Sequence, residues 1–395
     1  MPKRITPEDI RAHLPRTGLV WLHGCSGWSA TVNDALAGAD LSALTLTGIF
    51  VPGINRLDGL LAAGARVASF FMLPELAKAP AQVDFLPLSY REIAYRNLHT
   101  TPLAAVFMVA PPDSTGECSF GPVNDFLADI WERIPIRIAQ INPLMPRTAG
   151  RSIPVAALSA MFEMPESLPE SDPGTDAVAQ AIAAQALPFI PNGATIQAGL
   201  GRVPEGVLRG LTGHRDLAIH SGLIGDSALH LLGAGALRSE APITAGVAIG
   251  TRALYDALDD PAFRFAPPSV THELTVLARL APLVTINSAL AVDLDGQAFA
   301  EATRRGPVSG PGGASDFISG ARGAGGLRMV VLPAAAGNQS RIVSPGGGFG
   351  PVSLGRFDTD VVITEYGAAD LRGLGPEARQ AAMRSIAAPE HCSGL

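Results

Sequence analysis

Residues 194–210, Ala194-Thr195-Ile196-Gln197-Ala198-Gly199-Leu200-Gly201-Arg202-Val203-Pro204-Glu205-Gly206-Val207-Leu208-Arg209-Gly210, read as a strand, a glycine turn and a helix. The run 194–198 has the length and apolar content of a buried sheet strand. Pro204 suits the first residue of the helix, where its missing N–H costs nothing. Glycines between strand and helix let backbone N–H groups approach a ligand or an oxyanion. Dinucleotide sites share this order, but Pro204 stands where a third glycine is required. A tight turn with a purely structural role is the alternative.

The same alternation extends in both directions. Downstream, residues 217–220, 245–250, 283–287, 329–333 and 361–365 read as strands, and 252–258, 272–280 and 376–388 as helices. Upstream, an Ala-rich helix covers 176–187. The segment 163–176 (EMPESLPESDPGTD) then breaks the pattern with Pro and acidic residues and little to bury, which makes it a linker. Before it, 18–24, 41–49, 66–72, 102–109 and 136–141 read as strands, with helices at 29–40 and 123–134. Both halves are therefore α/β. The expected domains are residues 1–172 and 173–395.

Composition narrows the function. Apolar residues make up 47% of the chain, ample for two cores, and 29 basic against 36 acidic side chains leave a net charge of −7. That balance argues against nucleic acid as a partner. No apolar stretch is long enough to span a membrane. The opening MPKRITPEDI reads as neither a signal nor a transit peptide, which points to the cytoplasm. Cys25, Cys118 and Cys392 are too widely spaced for a zinc pattern or a disulfide framework, and no metal site is expected.

Several other stretches could carry chemistry. Ser309-Gly310-Pro311-Gly312-Gly313-Ala314-Ser315-Asp316-Phe317 is either a surface connection or a cradle for a phosphate or pantetheine arm. Residues 344–350 (SPGGGFG) read first as a turn or mobile loop and second as a ligand loop. Glu365 leaves the end of an apolar strand, a common position for a ligand carboxylate, although a salt-bridged structural role fits too. His220, Ser221 and Asp226 invite a hydrolase triad. Adjacent strand residues face opposite ways, however, and no GxSxG elbow surrounds Ser221. His23 and Cys25 share a strand face without an evident orienting third group.

A set of motifs in fixed order resembles the acetyl-CoA hydrolase/transferase family, in particular its 4-hydroxybutyrate CoA-transferase branch. They include 109–113 (VAPPD), 116–121 (GECSFG), 142–150 (NPLMPRTAG), 199–204 (GLGRVP), 216–222 (DLAIHSG), 286–290 (INSAL) with 292–294 (VDL), 310–317 (GPGGASDF), 340–343 (SRIV), and 362–367 (VITEYG) with 369–373 (ADLRG). The resemblance implies two related α/β domains of the CoA-transferase type with an acyl-CoA site between them. It implies that Gly310, Gly312, Gly313 and Ala314 form a CoA-binding loop, and that Gly199, Leu200 and Gly201 face the thioester.

Transferases of this family carry a Glu at the position of Gly222. Its carboxylate attacks the acyl-CoA and holds CoA as a glutamyl thioester. A second familiar Glu corresponds to Ala291. Glycine has no group for that attack. The expected function is hydrolysis of a small acyl-CoA, or CoA transfer by an atypical route. Backbone donors of the 199–201 loop would stabilise the oxyanion, and Glu365 or Asp226 would orient water. The implied ligand is coenzyme A or an acyl-CoA, with a small carboxylic acid as the further partner, and a homo-oligomer is expected. A protein that binds acyl-CoA or assembles with others, but has lost catalysis, is the alternative.

Overall fold

The run Ala104–Val109 (AAVFMV) is buried at every position, as a strand covered on both faces must be. It belongs to the first of two parallel sheets in the computed structural model, which describes residues 1–395 apart from 281, 324 and 395, and Ser393 by its backbone only. In chain order the first sheet holds β1 (Lys3–Arg4), β2 (Gly18–Leu22), β3 (Leu44–Gly48), β4 (Arg66–Ser69), β5 (Val83–Phe85), β6 (Ala104–Val109), β7 (Ile136–Ile141) and β8 (Ala160–Glu163). They lie in the order β1-β8-β7-β6-β2-β3-β4-β5, all parallel. The chain winds outward in both directions from the β2–β6 boundary. Val20, Leu22, Leu46, Val67, Val106 and Ile138 from these strands share one core with Leu36, Leu60 and Phe50.

The second sheet contains β9 (Thr195–Ala198), β10 (Ala218–Ile224), β11 (Leu283–Ser288), β12 (Leu327–Val331), β13 (Val361–Thr364) and β14 (Gly367–Asp370). Within it the order is β10-β9-β11-β12-β13-β14. All neighbours are parallel except the β13–β14 hairpin. From β9 the chain goes one way to β10 and the other way to β11, so the β9–β11 boundary is a topological switch point. Ligands in open α/β sheets bind in the crevice at such points, outside the carboxyl ends of the strands.

The chain forms two compact units, Met1–Ser171 with Ala245–Val270, and Asp172–Thr244 with Thr271–Leu395. A contiguous division after residue 172 therefore needs correcting, because an excursion from the second half belongs to the first unit. The cause is pairing that composition does not reveal. Ser26 Oγ donates to Ala248 O (2.6 Å), Asn124 N to Gly246 O (2.9 Å) and Phe265 N to Ala149 O (2.7 Å).

Three local details differ from the sequence reading. The helix Arg202–Gly210 starts two residues before Pro204, capped by Gly201 at φ +116°. Pro204 still falls among the first-turn positions, whose N–H groups have no intrahelical acceptor. β10 runs on past His220 through Ser221 and Gly222 to Ile224. The helix expected over 272–280 shrinks to Leu274–Leu277, because the Glu273 side chain caps it by accepting from Thr275 N at 3.3 Å. His272 is thereby left in a loop.

The acidic segment before residue 172 is anchored as well. The Glu166 carboxylate accepts from Ser29 Oγ (2.9 Å), Thr31 N (3.3 Å) and the backbone N–H of Ala30, at the start of the helix Ala30–Ala37. Gln140 Nε2 donates to it as well, at 3.1 Å. A carboxylate at a helix N-terminus meets unpaired N–H groups and the positive end of the helix dipole.

Candidate functional site

β10 brings His220, Ser221 and Gly222 to the carboxyl end of the second sheet. Its side chains alternate, so His220 and Gly222 share one face and Ser221 takes the other. Ser221 Oγ donates to Ala198 O at 3.0 Å, at the end of β9. His220 Nε2 donates to Thr271 O at 3.1 Å, and burial lowers its pKa. No Ser–His dyad forms between them, because each side chain is committed to a different carbonyl.

The His272 ring fills the space in front of Gly222. A Cβ on Gly222 would lie 2.9 Å from His272 Cε1 and 3.0 Å from Nε2, with Phe317 Cε2 3.6 Å away. The ring also abuts Gly313, where a Cβ would come within 2.3 Å of Nε2. The His272 and Phe317 rings are tilted at 54° with centroids 4.5 Å apart. Thr271 Oγ1 and His272 Nδ1 are 2.9 Å apart. Burial, reinforced by nearby His220, pushes the His272 pKa down to about 3, so the ring is neutral. The structure thus joins two positions that the sequence singled out separately, Gly222 and Gly313, through a histidine that it did not. The loop 310–314 leads into the helix Ala314–Gly320, with Gly312 at φ +57°.

The 199–201 loop needs a finer assignment. Gly199 N donates to Ile286 O at 2.8 Å, continuing the ladder to β11, so it is not available to an oxyanion. The N–H groups of Leu200 and Gly201 donate to no described residue, and Leu200 is exposed. Beneath the loop, Gln197 and Asn287 pair side chain to side chain at 3.4 and 3.5 Å.

Asp226 and Glu365 do not converge. Asp226 opens the helix Asp226–Gly233, directly after β10. Buried Glu205 braces that turn, accepting from Ser227 N and Ser227 Oγ, both at 2.8 Å. Glu365 follows β13, four strand spacings across the sheet, or about 19 Å. Its Oε2 accepts from Ala334 N at 2.9 Å, and its charge acts on the Arg341 guanidinium. The two carboxylates cannot orient one water.

The loop 344–350 is docked rather than loose. Gly346 N donates to Asp293 Oδ2 at 2.9 Å, and a Cβ at Gly348 would meet the Phe299 ring at 2.2 Å. In the first unit, His23 and Cys25 are buried, and burial holds the His23 pKa down to about 4 and the Cys25 thiol up. Neither therefore has the protonation behaviour of an accessible dyad. Among the described residues, no group of three or more His, Cys, Asp or Glu is arranged to hold a metal ion, and no helix is long and apolar enough to cross a membrane.

Comparison with known proteins agrees with this architecture. Residues 250–395 match the acetyl-CoA hydrolase/transferase C-terminal domain. The chain is 32% identical over 328 residues to 4-hydroxybutyrate coenzyme A transferase of Clostridium kluyveri, covering 80% of this chain and 76% of that protein. It is 30% identical to the succinyl-CoA:acetate/propanoyl-CoA:succinate CoA transferase of Fasciola hepatica, covering 80% and 69%. Among solved structures, 4-hydroxybutyrate CoA-transferase from Porphyromonas gingivalis superposes with a TM-score of 0.81 at 26% identity, over 99% of this chain and 96% of that one. RipA from Yersinia pestis shares the fold with a TM-score of 0.89 at 24% identity, again over 99% and 96%. The chain belongs to the acetyl-CoA hydrolase/transferase family.

Proposed function

We propose that this CoA-transferase/hydrolase-like enzyme, which acts on an acyl-CoA thioester, passes the acyl group to water without a covalent protein carboxylate. One observation carries the reading: the imidazole of His272 fills the space into which any side chain at position 222 would extend. The family resemblance implies that transferases carry their attacking Glu at that position. Here a glycine and a neutral buried ring stand at that place, and glycine offers no carboxylate to form a glutamyl thioester.

Hydrolysis needs less from the chain. Water oxygen bonds to the thioester carbonyl carbon, the C–S bond breaks, and the proton lost by water ends on the departing sulfur. The N–H groups of Leu200 and Gly201 are the proposed oxyanion donors, since neither has an acceptor among the described residues. Asp226, two residues past the end of the strand that carries Gly222, is the proposed water-orienting carboxylate. The buried free thiols Cys25 and Cys118 support a reducing, cytoplasmic setting.

The test is incubation with a panel of acyl-CoAs, with and without short carboxylic acids, followed by mass spectrometry. Free CoA with no protein adduct and no acid-dependent exchange is the expected result. New acyl-CoA formed only with added acid overturns hydrolysis in favour of transfer. Binding without any product favours the second reading, an acyl-CoA-binding protein, which the closed packing around Gly222 supports.

A further inference from the structure

At the β9–β11 switch point lies a cleft of about 490 Å³. The start of the helix Arg202–Gly210 and the ends of β11 and β12 line it, through Arg202, Ser288 and Val331. Its walls are mainly apolar, with Pro173, Val178, Val203 and Pro333 among them. Two arginines face it, and their situations differ. Arg202 is spent on the chain itself: its Nη1 pairs with Asp176 at 2.7 Å and its Nε donates to Pro173 O at 3.1 Å.

Arg341 is not spent. Its backbone is fixed on both sides, with its N–H donating to Ala334 O and its C=O accepting from Val292 N, both at 2.8 Å. Its guanidinium makes no hydrogen bond and no ion pair within 4.0 Å among the described residues. Glu365 acts on it only through the longer-range field, while that carboxylate bonds Ala334 N. A partly buried guanidinium carries five donors that need acceptors, and its planar fork matches carboxylate and phosphate oxygens. A cleft at a switch point, an apolar wall and one fixed, unspent guanidinium together describe a ligand site.

The geometry points to an anion site in this cleft, in which Arg341 receives a carboxylate or phosphate of a ligand whose apolar body rests on Pro173, Val178, Val203 and Pro333. Glu365 is the positioning residue: it accepts from Ala334 N, and Ala334 O in turn holds the backbone N–H of Arg341. The inference deepens the acyl-CoA reading and rests on it for the choice of probes. Under that reading the anion comes either from a free carboxylic acid or from the phosphates of CoA.

Calorimetric binding of butyrate, CoA and dephospho-CoA to the full chain, with and without Arg341→Gln, tests the site. The expected result is an affinity loss of about tenfold or more for at least one probe, as for a lost charge-assisted hydrogen bond, with partial retention in Arg341→Lys. Loss for butyrate identifies a carboxylate subsite. Loss for CoA but not dephospho-CoA identifies its 3′-phosphate, and equal loss for both identifies the diphosphate. Affinities within twofold for all three probes overturn the site. Should Arg341→Gln fail to fold, wild-type protein is treated with phenylglyoxal and the peptide carrying Arg341 is followed by mass spectrometry. Protection by a probe supports the site, and equal modification with and without every probe overturns it. Both readouts are of binding, so absence of turnover sinks the hydrolase reading alone, and unchanged binding beside normal turnover sinks this site alone.

Discussion

The imidazole of His272 packs against the Cα of Gly222, so that a Cβ at residue 222 would lie 2.9 Å from its Cε1. The same ring denies a Cβ to Gly313 at 2.3 Å. One side chain thus explains two glycines 91 positions apart in sequence, counted from their numbers.

Substitution at either glycine must move that ring. Gly222→Ala is expected to cost about 1–3 kcal/mol, as for other overpacked sites, and Gly313→Ala more, because its approach is closer. His272→Ala should recover much of the loss in each double variant, which a double-mutant cycle in urea measures. Equal stability of Gly222→Ala and wild type would show that the ring does not hold this place. Gly222→Glu alone should not create a transferase, since the ring occupies the space that the carboxylate needs.

Acid should weaken the fold through two histidines. Burial lowers His272 to about 3 and His23 to about 4, against an ordinary value of 6.5. Both are neutral when folded and bind protons more readily when unfolded. Their stabilisation is complete above about pH 6.5 and is lost as pH falls toward 4 and 3. The slope is up to about 1.4 kcal/mol per pH unit for each ring. Denaturation midpoints between pH 7 and 4 read this, and His272→Asn should flatten the fall.

Asp125 has the opposite sign. It is buried, caps the helix Phe126–Ile130 through Leu127 N at 2.8 Å, and burial raises its pKa from 3.8 to about 7. Its contribution is full below about pH 3.8 and is lost as pH rises through 7. Asp125→Asn keeps an oxygen for the cap. The variant should therefore gain on wild type as pH rises from 4 to 7 and hold that gain at pH 8. Parallel melting curves across this range would refute the assignment.

Asp226→Asn and Glu365→Gln should separate in kinetics. Loss of the proposed water-orienting carboxylate lowers kcat by about 100-fold or more. Loss of the Glu365 charge instead raises KM, because it acts through Arg341. A fall in kcat for Glu365→Gln that matches Asp226→Asn would return Glu365 to the reaction itself.

In the first unit, Glu166→Ala removes the acceptor shared by Ser29, Ala30 and Thr31 at one helix start. A loss of about 1–3 kcal/mol is expected, typical of a cap and its buried donors. Chemical denaturation measures it, and a loss under 0.5 kcal/mol, about that of an ordinary surface change, would contradict the anchoring role.

A short apolar run between turn residues sufficed to locate β6, because a strand covered on both faces must be apolar along its length. Ser29 and Asp176 were legible as helix starts, since capping is a local matter of one side chain and the N–H groups just beyond it. The glycine loops at 199–201 and 310–314 stood out because glycine clusters mark places where the backbone must turn sharply or come close to something. What comes close was not legible. His272 lies 50 residues from Gly222 and looked like the start of a helix. Arg341 sat in a short motif with nothing to show that its guanidinium would be left unspent.

Periodicity and local backbone sterics were enough to show the α/β alternation along the chain and the positions of the glycine turns. Contacts between distant segments were needed to assign 245–270 to the first unit, to bring Glu166 to a helix start 136 residues away, to fill the space beside Gly222 with a histidine, and to set Asp226 and Glu365 four strands apart. Each of these depends on which distant segments come to lie side by side. Packing and hydrogen bonding between such segments are set by the fold as a whole, and no local pattern records them.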